Sequence, residues 1–193
     1  YMCGIAGEIS FSHPVKENKD SFFNMQKVLE PRGTDQNGMY IKDNIALIHS
    51  RLAIIDIENG IQPMTCRYGN KEYTIIYNGE LYNTEEIRNE LTHHGDKFSG
   101  HSDTEVILKS YIQWEENCLE RFNGIFAFAI WDDYKQHLFF ARDRIGVKPL
   151  FYTIKNNSFI FGSEIKALLE HKYVETEIDE NSIQAKEIAD KLN

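Results

Sequence analysis

The stretch that decides the fold spans residues 125–142 and reads IFAFAIWDDYKQHLFFAR. Two aromatic-rich apolar runs in it flank the polar segment 132–136, which predicts two strands joined by a tight loop. The pattern returns at 150–162 around Asn156-Asn157, a pair suited to a hairpin turn. Strands joined by such short loops are antiparallel, because a parallel pair needs a crossover of roughly a dozen residues or more.

The rest of the chain supplies further short strands and amphipathic helices. Strands are predicted at 4–11, 38–42, 45–49, 51–56, 73–78, 125–131, 137–142, 150–155 and 158–162. Helices are predicted at 17–29, from Asn83 through Leu91, after Asp103, at 164–170 and at 181–192. Asn83 and Glu86 have the spacing of a capping box. Because the helices flank runs of strands without strict alternation, the expected class is α+β with layered antiparallel sheets.

The composition is that of a folded, acidic protein. Hydrophobic residues make up 41%, charged residues 26%, and the net charge is -9 at pH 7. A charge of this sign repels phosphate backbones and anionic lipid, so neither nucleic acid nor a membrane is an expected partner. The first residues lack the basic stretch and apolar run of a signal peptide, and the cysteines Cys3, Cys66 and Cys118 suggest no disulfide framework. We therefore expect a cytoplasmic protein.

The histidines predict no metal site. His93 and His94 are neighbours along the chain, and His101 follows them at a short distance. Neighbouring side chains point to opposite faces of a strand or about 100° apart on a helix, so they seldom bind one ion together. The phosphate-binding motifs GxGxxG and GxxxxGK[ST] are also absent from the sequence.

A cysteine near the start of the chain is the first candidate for chemistry. Cys3-Gly4-Ile5 follows Tyr1-Met2. Once residues 1 and 2 are removed, the α-amine of Cys3, with an ordinary pKa of about 7.7–8.0, can serve as general base for its own thiol. The alternative for an isolated cysteine is a buried structural thiol. We expect that the chain with residues 1 and 2 attached has almost no activity.

Four later segments turn this candidate into a specific hypothesis. They are RGTD at 32–35, HSRLAIID at 49–56, YNGELYN at 77–83 and GHSDTE at 100–105. Together with Cys3 they closely resemble the class II glutamine amidotransferases, which use an N-terminal nucleophile. The later runs ARDRIGVKPLFY at 141–152 and SEIKAL at 163–168 resemble one branch of that family, the glutamine-hydrolysing asparagine synthetases.

The resemblance covers about residues 3–168 and implies both a fold and an activity. The fold is a four-layer αββα sandwich with antiparallel sheets, of the N-terminal nucleophile hydrolase type. The activity is hydrolysis of L-glutamine to glutamate and ammonia through a γ-glutamyl thioester on Cys3. The implied glutaminase domain spans residues 3–172, and residues 173–193 begin a linker or C-terminal region. No cofactor is expected in this domain.

The resemblance also implies a role for each site residue. Arg51 binds the α-carboxylate of glutamine, because its planar guanidinium matches a carboxylate. Asp103 pairs with the α-ammonium. Asn78, through its side chain, and Gly79, through its backbone N–H, form the oxyanion hole. Glu80 accepts a hydrogen bond from the NH2 group of the substrate amide. Backbone groups of three further residues line the pocket: Leu52, Ile54 and Ile55.

Each of these residues has a simpler explanation on its own. Arg51 could form a salt bridge at the surface, and Asp103 could be the N-cap of the next helix. Glu80 could be a charged side chain exposed to solvent. Asn78-Gly79 suits a type I′ hairpin turn. A glutamine site accounts for all of them in order, whereas independent coincidence does not. Two further alternatives are the glutaminase domain of another class II amidotransferase and a catalytically silent domain on the same fold.

The sequence departs from the family pattern at two places. Pro31 and Thr34 stand where the family usually has histidine and proline around Arg-Gly and Asp. The Ser-Gly-Gly-x-Asp-Ser loop, through which the synthetase domain of these enzymes binds ATP, is absent from the 193 residues. We therefore expect ATP and magnesium to act only in a synthetase domain outside this sequence. That covalently linked domain is an expected partner, and a homodimer is a possible assembly.

Overall fold

Two antiparallel sheets form the centre of the molecule. The computed structural model describes residues 3–52 and 60–175. Its strands are β1 (Gly4–Ser10), β2 (Gln36–Lys42), β3 (Ile45–Arg51), β4 (Met64–Tyr68), β5 (Lys71–Leu81), β6 (Gly124–Asp132), β7 (His137–Arg142), β8 (Phe151–Lys155) and β9 (Ser158–Gly162). The first sheet has the order β2-β3-β1-β9-β8 and the second β4-β5-β6-β7. Every strand pairing is antiparallel, as predicted.

Helices cover the outer face of each sheet. They are α1 (Lys19–Leu29), α2 (Thr84–His93), α3 (Asp103–Trp114) and α4 (Ile165–Leu169), with short 3-10 turns at Val15–Asn18, Glu30–Arg32 and Glu115–Arg121. Helices α1 and α4 pack on the first sheet, and α3 packs on the second sheet together with α2. The described chain therefore has the four layers αββα.

The alternation of side chains along the strands creates three separate apolar layers. Ile5 of β1 faces the second sheet, whereas its neighbour Ala6 faces α1 and α4. In β5, Ile76 lies between the sheets, and Ile75 lies under α2 and α3. Both faces of β1 and β3 are covered, so every residue of these strands is buried, including the polar residues Glu8, His49 and Arg51.

The predicted hairpins are confirmed. Lys155 pairs with Ser158, and the two residues between them, Asn156 and Asn157, have φ angles of 49° and 58°. Asparagine tolerates this left-handed conformation better than most residues, so the turn chemistry set the strand pairing. In the β6–β7 connection, the buried carboxylate of Asp132 accepts the backbone N–H groups of Tyr134 and Lys135.

Several boundaries differ from the sequence prediction. Strand β4 was not predicted, and β5 continues to Leu81, so Asn78 and Gly79 lie inside a strand and form no hairpin turn. Helix α2 starts after Asn83, but the capping box is wrong. The Asn83 side chain instead donates to the carbonyl of Arg121 and accepts the N–H of Asn123.

Other predicted segments fall partly or wholly outside the described residues. The strand predicted at 51–56 overlaps the end of β3 at Arg51, and residues 53–59 are not described. The helix predicted at 181–192 also lies outside the described residues. Among the helices that are described, none combines the length and the apolar character that a bilayer crossing requires.

Candidate active site

Cys3 lies directly before β1, and its neighbours hold it from two sides. Its Sγ accepts the backbone N–H of Leu52 at 3.4 Å and lies 3.7 Å from the Leu52 carbonyl oxygen. Its own carbonyl oxygen accepts Nε of Arg32 at 3.2 Å. Arg32 in turn donates from Nη1 to Glu164 at 3.1 Å, which ties the start of the chain to the segment before α4. The sulfur is thus fixed beside the end of β3.

Burial controls the acidity of this thiol. It raises the pKa of Cys3 above its ordinary value, and the Leu52 N–H and the positive charge of Arg51 offset only part of the increase. At neutral pH the sulfur therefore carries its proton. A nucleophilic attack by this group needs a base that takes the proton in the same step.

A cavity of about 350 Å³ opens in front of the sulfur. All of the predicted site residues in the described part of the chain line it: Cys3, Arg51, Leu52, Asn78, Gly79, Glu80 and Asp103. The remaining two, Ile54 and Ile55, lie outside the described residues. These residues come from distant parts of the sequence and meet where the start of β1, the ends of β3 and β5, and the first turn of α3 lie together.

Asn78 and Gly79 present hydrogen-bond donors to this cavity from β5. Asn78 is 2% exposed, and its Nδ2 has no hydrogen-bond partner within the described ranges 3–52 and 60–175. A buried amide nitrogen without a partner is uncommon, and it is available to an oxygen in the cavity. Gly79 pairs with Phe126 of β6, and a Cβ atom at Gly79 would overlap the carbonyl oxygen of Ile125.

Arg51 is the last residue of β3, opposite Gln36 of β2. Only 5% of Arg51 is exposed, which does not fit the surface salt bridge considered above. Its Nη1 lies 3.5 Å from Oε1 of Gln36. A buried guanidinium at the wall of a cavity is suited to bind a carboxylate.

Asp103 faces the cavity from the first turn of α3. It is not the N-cap, because Ser102 occupies that position and accepts the N–H of Glu105. The Oδ2 atom of Asp103 accepts the Tyr77 hydroxyl at 2.7 Å and the Leu81 N–H at 3.3 Å. Burial raises the pKa of the Asp103 carboxyl despite these bonds. An ammonium group in the cavity would stabilise its charged form.

The structure adds residues that the sequence analysis did not assign to the site. Gln62, Tyr77, Thr104 and Lys148 also line the cavity. Lys148 belongs to the run 141–152 quoted above, but nothing in the sequence indicated that this lysine lies near Cys3. Gln62 precedes Pro63 in a region without a motif, so no local signal identified it.

Lys148 owes its position to a loop built on one carboxylate. The side chain of Asp143 accepts the backbone N–H groups of Phe126, Val147 and Lys148. Lys148 is mostly buried, and its charge lowers the pKa of Cys3 slightly against the larger effect of burial. The loop thus places a second cation near the sulfur.

The histidine group considered as a metal site shows other contacts. His93 lies 2.6 Å from the carbonyl oxygen of Asn89, one helical turn earlier, and the ring of His94 packs edge-on against Trp114. Across residues 3–52 and 60–175, no group of three or more His, Cys, Asp and Glu side chains could hold a metal ion.

Comparison with protein families identifies the type of domain. The profile of the glutamine amidotransferase domain matches residues 2–189. The chain belongs to the glutamine amidotransferase domain family. This amidotransferase domain is 49% identical over 182 residues to glutamine-hydrolyzing asparagine synthetase 3 of Bacillus subtilis, which covers 94% of the chain and 30% of the relative. It is 38% identical over 186 residues to asparagine synthetase 1 of the same bacterium, which covers 95% of the chain and 29% of the relative.

The amidotransferase domain therefore spans about a third of the length of these relatives. Among solved structures it resembles the glutamine phosphoribosylpyrophosphate amidotransferase of B. subtilis, with a TM-score of 0.71, over 86% of this chain and 43% of that one. The sequence identity is 22%, so the likeness establishes the fold alone. The predicted sandwich of antiparallel sheets is confirmed.

Proposed function

We propose that this domain is the glutaminase half of an asparagine synthetase, and that it hydrolyses L-glutamine to glutamate and ammonia. The observation that carries the proposal is the meeting of Cys3, Arg51, Asn78 and Asp103 around one cavity. A nucleophile, a carboxylate partner, an oxyanion donor and an ammonium partner are the groups that glutamine hydrolysis requires. The match to the amidotransferase family agrees with this assignment.

The charges of the cavity fit the two ends of an amino acid. In the proposed complex, the buried guanidinium of Arg51 binds the α-carboxylate and the carboxylate of Asp103 binds the α-ammonium. The side-chain amide of the substrate then reaches Cys3, and Glu80 accepts from its NH2 group. Backbone groups around Leu52, and in our proposal Ile54 and Ile55, complete the pocket.

The first half of the proposed reaction forms a thioester. The Cys3 sulfur attacks the amide carbon while its proton moves to the Cys3 α-amine, and the carbonyl oxygen becomes an oxyanion between Asn78 Nδ2 and the Gly79 N–H. The tetrahedral intermediate then collapses, as the protonated α-amine of Cys3 gives its proton to the leaving nitrogen of the substrate amide. Ammonia leaves, and a γ-glutamyl thioester remains on the sulfur.

The second half releases glutamate. Water attacks the thioester carbon with the same amine as base, and the oxyanion forms again between the same donors. The C–S bond then breaks, the thiol regains its proton, and glutamate leaves. The raised pKa of the Cys3 thiol supports a role for the amine, because a protonated thiol needs a base within reach.

The acceptor of the ammonia is proposed from the relatives. Residues 3–172 form the proposed glutaminase domain, and residues 173–193 lead toward a linked synthetase domain, where aspartate, ATP and magnesium would act. We place the protein in the cytoplasm and regard a homodimer as its possible assembly. Neither of these two properties bears on the glutaminase chemistry.

The decisive experiment compares two cysteine variants of a chain that begins at Cys3. Cys3→Ala should reduce ammonia release from glutamine to background while its circular dichroism and Tm stay close to those of the wild type. Cys66→Ala, on the edge strand β4, is the matched control and should retain turnover. Ammonia release by Cys3→Ala at the wild-type rate would contradict the proposal.

A second assay separates the glutaminase from the complete synthetase. The same chain, incubated with glutamine, aspartate, ATP and magnesium, should form neither asparagine nor AMP. It should release glutamate and ammonia from glutamine equally well when ATP is left out. Formation of either product above a no-enzyme control would place a nucleotide site within these residues.

A further inference from the structure

Tyr77, which directly precedes Asn78, is held at its amide nitrogen, its carbonyl oxygen and its hydroxyl. The N–H donates to Oε1 of Gln62 at 2.6 Å, and the carbonyl oxygen lies 3.1 Å from Nε2 of His49. The hydroxyl donates to Oδ2 of Asp103 at 2.7 Å. Side chains from three other segments thus fix the residue that comes before the proposed oxyanion donors.

The early end of β4 explains why side chains are needed here. The β4–β5 ladder starts at Met64, which lies opposite Ile75 of β5. Tyr77 is two residues past that pair, where no β4 residue remains to bond its backbone. The backbone N–H of Tyr77 donates to the Gln62 side chain where it would otherwise donate to a β4 residue, so this buried donor is satisfied.

Gln62 also reaches the segment that carries Asp103. Its Nε2 donates to Oγ1 of Thr104 at 3.2 Å, and both side chains are almost completely buried. The backbone of Gln62 is fixed from behind, because it packs so closely on Gly38 of β2 that a Cβ atom there would overlap the Gln62 carbonyl oxygen. One side-chain amide therefore connects β5 to the start of α3.

We propose that Gln62 is a positioning residue for the oxyanion hole, which it holds at a set distance from Asp103. This inference rests on the proposed glutaminase function. Donors to an oxyanion act only where the charge develops, and small displacements of such groups reduce the rate steeply. Loss of the Gln62 contacts should therefore act on the transition state, so that kcat falls and KM changes little.

The test uses two substitutions of nearly equal size in the chain that begins at Cys3. Gln62→Met fills the same space but cannot accept the Tyr77 N–H, and we expect kcat for glutamine hydrolysis to fall about 10- to 100-fold. Its KM should change less than about threefold. Gln62→Glu keeps an acceptor for Tyr77, and the Thr104 hydroxyl can rotate to donate to it. We expect this variant to retain kcat within about fivefold.

Two controls separate positioning from a general loss of stability. Thr74→Val removes the 3.0 Å contact between the hydroxyls of Thr65 and Thr74, on the same strand but outside the cavity, and should leave kcat unchanged. The rate at which iodoacetamide alkylates Cys3 should be equal in the wild type and in Gln62→Met, because the nucleophile itself is intact. If Gln62→Met does not fold, Thr104→Val takes its place, with an expected loss in kcat of about 3- to 10-fold.

The outcomes distinguish this inference from the proposed function. Wild-type turnover by Gln62→Met, or by Thr104→Val in its place, would overturn the inference alone. An equal loss of kcat in Gln62→Met and Gln62→Glu would also overturn it, since the acceptor oxygen would then be irrelevant. A wild-type chain that releases no ammonia from glutamine would overturn the proposed function and this inference with it.

Discussion

The hydroxyl of Tyr77 donates a 2.7 Å hydrogen bond to Oδ2 of Asp103 and so joins β5 to α3 at the wall of the cavity. Burial and the Asp103 charge raise the pKa of Tyr77 well above its usual value, so the hydroxyl keeps its proton at neutral pH and can donate. Burial raises the pKa of Asp103, and the Tyr77 bond counteracts that increase. The pair thus helps to keep a buried carboxylate charged, which the proposed contact with the substrate ammonium requires.

Tyr77→Phe should move the acid limb of the pH profile. Without the hydroxyl, the pKa of Asp103 rises further, and its charged form is lost at a higher pH. We therefore expect the fall in kcat/KM on the acid side to shift upward in pH, with KM for glutamine raised several-fold at neutral pH. Tyr82→Phe, at an exposed position, is the control. Superimposable profiles for Tyr77→Phe and the wild type would contradict the pairing of Asp103 with the ammonium.

Arg51→Lys should weaken glutamine binding more than it slows the chemistry. A lysine retains the positive charge but not the planar pair of donors that a carboxylate binds. We expect KM to rise about 10-fold or more and kcat to stay within a few-fold, as measured by steady-state ammonia release. Arg67→Lys, whose side chain pairs with Glu72 at the surface, should change neither value. An unchanged KM for Arg51→Lys would argue against its role at the α-carboxylate.

Asn78→Ala should have the opposite kinetic signature. Its Nδ2 has no partner among the residues the structure describes, and a contact formed mainly with the oxyanion contributes to kcat. Removal of one such donor typically costs about 10²- to 10³-fold in kcat. Asn83→Ala loses two hydrogen bonds near α2, outside the cavity, and should keep its turnover. A rise in KM with an unchanged kcat for Asn78→Ala would remove it from the oxyanion hole.

The sequence predicted those elements whose cause is local. The β8–β9 hairpin followed from Asn156-Asn157, because the preference of asparagine for a positive φ acts within the turn itself. Strand β4 is an exception, because it was missed although its five residues, MTCRY, alternate between apolar and polar and only Gly69-Asn70 separates them from β5. Asn83 and Glu86 had the spacing of a capping box, but the Asn83 side chain does not cap α2. It bonds instead to the backbone of Arg121 and Asn123, which belong to a distant segment.

The site residues also divide into those that a local sequence motif identified and those that only the three-dimensional structure reveals. Cys3, Arg51, Asn78 and Asp103 were found through motifs, and the structure places them around one cavity. Gln62 was not found, because its importance depends on where β4 ends and on which backbone atoms of Tyr77 are then left without a ladder. Such a dependence exists only in three dimensions.

Residues 1 and 2 should block activity until they are removed. When Tyr1-Met2 is attached, the nitrogen of Cys3 is an amide and cannot take the proton from a thiol whose pKa burial has raised. We expect a chain that begins at Cys3 to release ammonia from glutamine and the chain that begins at Tyr1 to release almost none. The intact mass of each sample verifies its N-terminus. Equal rates for the two chains would show that the α-amine is not the base.

The buried histidine of β3 should make the protein sensitive to mild acid. His49 is fully buried with Nε2 near the Tyr77 carbonyl, and burial lowers the pKa of His49 from 6.5 to about 4. Between these two values the unfolded chain binds a proton that the folded chain does not bind. The free energy of unfolding should therefore fall as the pH drops from 6.5 to 4, by about 3 kcal/mol for this residue.

The measurement is a series of urea unfolding curves at several pH values between 7 and 4. His49→Gln keeps a donor for the Tyr77 carbonyl but does not titrate, so its stability should decline less across this range. His94→Gln, at an exposed position, is the matched control and should show the wild-type decline. If wild type and His49→Gln lose stability in parallel, protonation of His49 does not oppose folding, and other groups cause the acid sensitivity.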